Sequence, residues 1–156
     1  MDSVSSYPSI FALGHRALGD SFMDRDLIVQ EKVDASQFSA LWTGEGWAYR
    51  SKGVQVYKES APDLFRPTIA HFESMAVLGS VCQPGTIFRG EAFKSKHHNT
   101  LNYSRVPAGH LVLFDVEMPG QNFASPEQVV QYAMIFGFEP IRTFHIGKIS
   151  VEQIQE

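Results

Sequence analysis

Lys32 and Asp34 stand one residue apart in the run Val29-Gln30-Glu31-Lys32-Val33-Asp34-Ala35-Ser36-Gln37-Phe38. Leu27, Ile28, Val29 and Val33 make this stretch read as a β-strand, whose side-chain period of two puts Lys32 and Asp34 on one face. A lysine beside a carboxylate has two uses. It forms a surface ion pair on an edge strand, or it is a nucleophile whose amine is kept neutral by burial and nearby cations. The spacing leaves both open.

Two further constellations carry charge. Arg50-Ser51-Lys52-Gly53 closes a second extended stretch, as a solvated basic turn or an anion contact. In Phe88-Arg89-Gly90-Glu91, Arg89 and Glu91 share a strand face with Ile87, and Phe88, Gly90 and Ala92 share the other. A cross-strand ion pair is the plain use of Arg89 and Glu91. Gly90 weakens a strand, so something should approach its backbone closely.

The elements that must position these groups follow from periodicity. Residues 27–42 read as one long strand, or a strand with a bulge. Thr43-Gly44-Glu45-Gly46 reads as the turn of a hairpin that returns over Trp47 to Ser51. A short strand is expected at 54–57, and further strands at 86–93, 111–117 and 141–146. Phe65, Ile69, Phe72 and Ala76 recur at helical spacing; Pro67 fits a first turn, so this helix starts near 66, with Gly79 as its stop. Ser125 and Gln128 can form a capping box around Pro126, starting a helix that runs to Phe136 and ends at Gly137. Residues 1–26 read as irregular or helical, with Phe11, Leu13, Leu18 and Phe22 as packing residues. The sum is an α+β fold, mainly antiparallel sheets with flanking helices, in a single domain over 1–156.

Bulk properties bound the function. At 156 residues and 44% apolar content the chain can bury one core. A net charge of -4 argues against a general polyanion-binding tail but leaves room for a local basic groove. Cys82 is the single cysteine, so no internal disulfide framework or Cys-rich zinc site exists, and a reducing, cytoplasmic setting is expected. No signal peptide and no membrane span is read. His97 and His98 are adjacent and would face opposite sides of a strand, which does not suit a metal site; no metal ligand is assigned. Trp42 and Trp47 read as packing residues, and Cys82 as inert.

The order K-x-D, R-S-K-G, R-G-E, then Leu113-Phe114-Asp115-Val116 resembles the covalent nucleotidyltransferase superfamily of RNA ligases, DNA ligases and capping enzymes. Glu31-Lys32-Val33-Asp34-Ala35-Ser36-Gln37-Phe38 is similar to the first motif of the ATP-dependent RNA ligase family, E-K-x-D-G-S-x-F, with alanine at the glycine position. The resemblance spans roughly residues 7 to 150. It implies the nucleotidyltransferase (ATP-grasp-like ligase) domain, and a lysyl-AMP intermediate formed from ATP with Mg²⁺ or Mn²⁺. The substrates implied are RNA ends bearing a 5′-phosphate and a 3′-hydroxyl.

By the same resemblance Lys32 is the nucleophile, and Asp34 orients it or helps place the metal. Glu31 meets the adenine edge through its backbone, Arg50 contacts the nucleotide, Glu91 accepts from the ribose and Phe114 stacks on the base. Lys52 and Arg89 are possible phosphate contacts, as are Lys94 and Lys96. The family's later E-G and K-x-K strand motifs are not found, so the domain reads as incomplete at its C-terminus, with an uncovered sheet edge and a missing segment or second polypeptide as partner. Three alternatives stay open: a DNA ligase or capping-type relative, a split enzyme, and a non-catalytic nucleotide- or RNA-binding module.

Overall fold

The computed structural model describes residues 3–19, 22–120 and 122–155. In chain order the strands are β1 (Leu27–Gln30), β2 (Ser36–Trp42), β3 (Trp47–Ser51), β4 (Gln55–Val56), β5 (Ile87–Ala92), β6 (His97–His98), β7 (Leu101–Asn102), β8 (Leu111–Met118), β9 (Asn122–Phe123), β10 (Glu139–Pro140) and β11 (Thr143–Gly147). The α-helices are α1 (Arg66–Ser74), α2 (Pro126–Phe136) and α3 (Val151–Gln155). No described helix is long and apolar enough to cross a membrane. Two compact units form: Met1–Tyr7 with Val33–Ile141, and Pro8–Lys32 with Arg142–Glu156.

The larger unit is built on a sheet of seven strands among the described residues, in the order β10-β8-β5-β2-β3-β4, with β9 on the end of β8. All pairs are antiparallel except β10 with β8. This is the expected α+β fold with mainly antiparallel sheets. Both ends of the row are two-residue strands, and Pro140 sits in one of them, so each terminal strand itself offers only a short edge. Alternation sorts the sheet into two faces. Phe38, Ala40, Trp42, Tyr49, Phe88 and Val116 point at α1 and α2 and pack with Phe65, Ile69, Phe72, Val129, Ala133 and Phe136. Trp47 joins this core, its ring 4.9 Å from Phe72 and 5.0 Å from Trp42, so both tryptophans pack as expected.

The helix signals act locally. Ser125 accepts from the Gln128 amide while the Gln128 side chain accepts from the Ser125 amide, and Gly137 closes α2 in the left-handed region. Helix α1 starts at Arg66 as expected but ends at Ser74, before Gly79. The chain then tightens into a 3₁₀ helix over Ala76–Val81. Gly79 is therefore no helix stop. A Cβ there would lie 2.4 Å from the Trp42 ring, so its glycine serves close packing. Gly90 works the same way, since a Cβ would meet the Val112 carbonyl oxygen at 2.6 Å.

The smaller unit pairs β1 with β11, placing Ile28 opposite Ile146, and adds α3 and two 3₁₀ turns at Arg16–Leu18 and Phe22–Asp24. Phe11 and Leu13, expected to pack, are exposed. The Phe11 ring instead stacks on His15 at 4.5 Å.

Residues 27–42 do not form one strand. The β1–β11 ladder shifts register between Val29 and Gln30, and residues 31–35 are not extended ladder. The Asp34 amide is satisfied by the Tyr103 hydroxyl at 2.8 Å, so no neighbouring strand is needed there. Period-two alternation consequently does not govern Lys32 and Asp34.

Gly90→Ala should destabilise the protein by about 1–3 kcal/mol, the usual range for overpacking. Gly53, with open space at its Cβ position, is the control. Urea unfolding of Gly90→Ala and Gly53→Ala checks this, with a shifted midpoint expected for the first alone.

Candidate nucleotide face of the seven-stranded sheet

The face turned away from the helices carries the polar residues. Cross-strand pairing sets Gln55, Arg50, Ser39, Arg89 and Asp115 in one row across β4, β3, β2, β5 and β8. The next row holds Gln37, Glu91 and Val112. Between the rows, β8 and β5 shift register, so Phe114 has no residue opposite it and is the extra residue of a bulge. The half-buried Phe114 packs against the cluster of Phe93, Val112 and Ile141, two residues along β8 from Val112, which pairs with Glu91. By strand spacing, the backbones of Arg50 and Glu91 are on the order of 12 Å apart. A ligand touching both would have to be extended.

Arg89 is buried completely and its terminal nitrogens are engaged. Nη1 donates to the Ser5 carbonyl at 2.6 Å and to Ser39 Oγ at 3.1 Å; Nη2 donates to Ser5 Oγ at 2.8 Å and to Glu117 Oε2 at 2.6 Å. The ion pair of Arg89 is thus with Glu117. This corrects the expectation of Arg89 as a phosphate contact in the arrangement seen, because a phosphate would have to displace Ser5 or Glu117.

Residues 4–7 form a strap over the middle of this row. Val4 is buried with Leu41 and Ile87, and its backbone exchanges hydrogen bonds with the Gln55 side chain. Tyr7 donates its hydroxyl to Asp115, and its ring meets the Phe114 ring edge-on at 5.2 Å. Burial, more than the Asp115 contact, holds the Tyr7 hydroxyl in its protonated, donating form. Burial also raises the Asp115 carboxyl above its ordinary value, and nearby Glu117 adds to this; the Tyr7 hydrogen bond and Arg89 work the other way.

The remaining predicted residues are placed as follows. Asp34 is half-buried in the larger unit, its carboxylate accepting from Asn99 Nδ2 at 2.9 Å. Arg50 is half-buried; its Nη2 donates to the Gly53 carbonyl at 3.3 Å, while its buried Nε has no partner. Lys52 is exposed in the turn beyond β3. Glu91 lies on β5 opposite Gln37 and Val112. Lys94 is paired with Asp63 at 3.7 Å.

Glu31 and Lys32 belong to the smaller unit, where both are exposed; the Glu31 amide donates to the Arg142 carbonyl at 2.9 Å. Ala35 keeps ordinary backbone geometry, since Asn99 and His110 are the non-glycine residues at positive φ among those described. Alanine therefore costs nothing at that position in this backbone.

Sequence reasoning missed Ser5, Tyr7, Asn99 and Tyr103. Asparagine's tolerance of positive φ marks Asn99 as a turn candidate; the other three give no local signal. His97 and His98 face apart, bonded to Asn102 and Ser36 respectively. Cys82 is buried, and burial pushes its thiol up to about 11, which suits an inert cysteine. Among the described residues no three His, Cys, Asp or Glu side chains cluster as metal ligands.

No family model and no curated protein sequence matches the chain. Among solved structures it is similar to an RNA ligase from Naegleria gruberi solved with ATP and Mn, at a TM-score of 0.59 and 11% identity. The match covers 84% of this chain and 39% of the ligase, so the chain spans about two fifths of that protein's length. The likeness shows that this chain shares the fold of the matched part of that protein.

The Asp115 environment predicts a pH effect. A carboxyl with a raised folded-state pKa binds its proton more tightly folded than unfolded. Its contribution to stability is then full below the unfolded value, near 4, and is lost as pH rises through the folded value. Asp115→Asn removes this loss while keeping an acceptor for Tyr7. The variant's melting temperature should rise relative to the native chain on going from about pH 4 to pH 7. Melting curves that stay parallel across that range would contradict this.

Proposed function

We propose that the chain is an RNA ligase-type nucleotidyltransferase that binds ATP on the Gln37–Glu91 row and takes AMP onto Lys32. One observation carries the proposal. In a sheet whose fold is similar to that of an RNA ligase, Phe114 is the extra residue of a bulge on β8, the strand paired with the β5 strand that carries Glu91. An aromatic ring and a carboxylate on neighbouring strands suit a nucleoside: the ring stacks on a base, and the carboxylate accepts from ribose hydroxyls. Arg50, with an unpartnered buried Nε on the same face, suits an anionic group of the ligand. Fold alone does not assign function. The sequence supplies the remaining support, in the order of Lys32, Asp34, Arg50, Glu91 and Phe114.

The reaction proposed is attack of the deprotonated Lys32 amine on the α-phosphorus of ATP. A phosphorus–nitrogen bond forms, the bond to the bridging α–β oxygen breaks and pyrophosphate leaves. The amine's protons pass to solvent. Phe114 and Glu91 hold the nucleoside, and Arg50 holds phosphate. Asp34 would hold a divalent cation, Mg²⁺ or Mn²⁺, together with the nucleotide's own phosphates; that cation offsets phosphate charge when bound. The RNA 5′-phosphate then attacks the adenylyl phosphorus, breaking its bond to the Lys32 nitrogen, and the 3′-hydroxyl of another end attacks the activated 5′-phosphate, forming the phosphodiester and releasing AMP.

The test is incubation with α-labelled ATP and Mg²⁺, followed by denaturing electrophoresis. Label on the native chain and none on Lys32→Ala is expected. ATP binding without label would instead favour a non-catalytic nucleotide-binding module, and no binding would sink the proposal. Phe114→Ala should weaken ATP binding by about 1–3 kcal/mol, the usual worth of base stacking on an aromatic ring. Calorimetric titration of native and variant chains checks this.

A further inference from the structure

The hairpin of β6 and β7 grips the start of β2 from one side. Tyr103 Oη accepts from the Asp34 amide at 2.8 Å and donates to the Asp34 carbonyl at 3.4 Å. Asn99 Nδ2 donates to Asp34 Oδ1 at 2.9 Å and to the Ala35 carbonyl at 3.5 Å. Ser36 Oγ lies 3.0 Å from His98 Nε2. Asp34 is therefore held at its amide, its carbonyl and its carboxylate by two side chains from one hairpin.

The hairpin is itself braced. His97 Nδ1 lies 2.9 Å from Asn102 Oδ1, the Tyr103 amide donates to the Lys96 carbonyl at 2.8 Å, and the Tyr103 ring stands edge-on to Phe93 at 5.0 Å. Asn99 takes up φ 48°, a conformation that costs an L-residue local energy. Asn99 is exposed, and exposed hydrogen bonds add little to stability. Their main effect is on direction: the Asn99 amide draws the carboxylate of Asp34 toward the β6–β7 hairpin.

We infer that Asn99 and Tyr103 are positioning residues for lysine adenylylation, setting the orientation of Asp34, two residues along the chain from Lys32. The inference rests on the lysyl-AMP reading above. It assigns the β6–β7 hairpin a role in the chemical step and none in holding the nucleotide. Loss of orientation near reacting atoms lowers rate with little effect on ground-state binding.

Two variants of the full chain test this. Asn99→Gly removes the amide while easing the backbone at positive φ, and Tyr103→Phe removes the hydroxyl while keeping the ring against Phe93. The rate of label transfer from α-labelled ATP to the protein is measured at saturating ATP, beside the ATP dissociation constant and the melting temperature. Each variant should label about tenfold more slowly or worse, with ATP affinity and melting temperature near those of the native chain. Asn99→Asp keeps the local backbone but sets a carboxylate against Asp34, and should label more slowly than Asn99→Gly.

Unchanged labelling rates in both variants would overturn the inference. So would a parallel loss of rate, ATP affinity and thermal stability, which would make the hairpin merely structural. If the native chain itself takes no label, the lysyl-AMP reading fails first and this inference falls with it. Label on the native chain with indifferent variants overturns the hairpin's role alone.

Discussion

The buried guanidinium of Arg89 is the constraint around which the polar face is organised. Taking an arginine out of water costs several kcal/mol unless its charge and donors are met. Here the charge is met by Glu117 at 2.6 Å, and the terminal donors by Ser5 and Ser39 as well. Three separate segments must therefore be in place together: the strap at Ser5, β2 at Ser39 and β8 at Glu117. Removing one partner from such a group typically costs about 3–5 kcal/mol, because the charge stays buried without compensation. The path of the strap follows from this. Once Ser5 is fixed to Arg89, Val4 falls into its apolar pocket and the Tyr7 hydroxyl reaches Asp115.

That anchoring divides the face into two parts with different uses. The row of Ser39, Arg89 and Asp115 is committed to holding the chain's own strap. The next row holds Gln37, Glu91 and Val112, and the strap reaches its margin where the Tyr7 ring meets Phe114 at the bulge. Burial is the main reason the Asp115 carboxyl is held upward; Tyr7 and Arg89 oppose it, and Glu117 adds a smaller push in the same direction as burial.

Much of the fold was legible because it rests on local signals. The β2–β3 hairpin follows from alternation on either side of Thr43 to Gly46, and α2 from Ser125, Pro126, Gln128 and Gly137. The failures have one cause, which is partners supplied from far along the chain. Residues 27–42 alternate well enough for a single strand, but the Asp34 amide is satisfied by the hydroxyl of Tyr103. Gly79 looks like a helix stop until the Trp42 ring is found against it. The charge of Arg89 suggested a phosphate contact, and nothing in its neighbours foretells complete burial against Ser5. Of the candidate site, sequence order picked out Glu91 and Phe114, and the bulge that takes Phe114 out of the pairing became visible only in the ladder. Asn99 and Tyr103 belong to a hairpin whose purpose appears once Asp34 is seen in its grip.

The break between β1 and β2 changes what the Lys32-x-Asp34 spacing means. On a strand, one intervening residue would place lysine and carboxylate on a shared face by backbone geometry alone, and any K-x-D would do. Outside a strand the spacing enforces nothing, and orientation has to come from elsewhere. For Asp34 the source is plain: its amide, carbonyl and carboxylate each have a partner on the β6–β7 hairpin or in Tyr103. For Lys32, exposed at the end of the smaller unit, no comparable grip on its side chain is found among the described residues. The backbone of Asp34 is held at its amide and carbonyl by Tyr103, and its carboxylate accepts one hydrogen bond from Asn99.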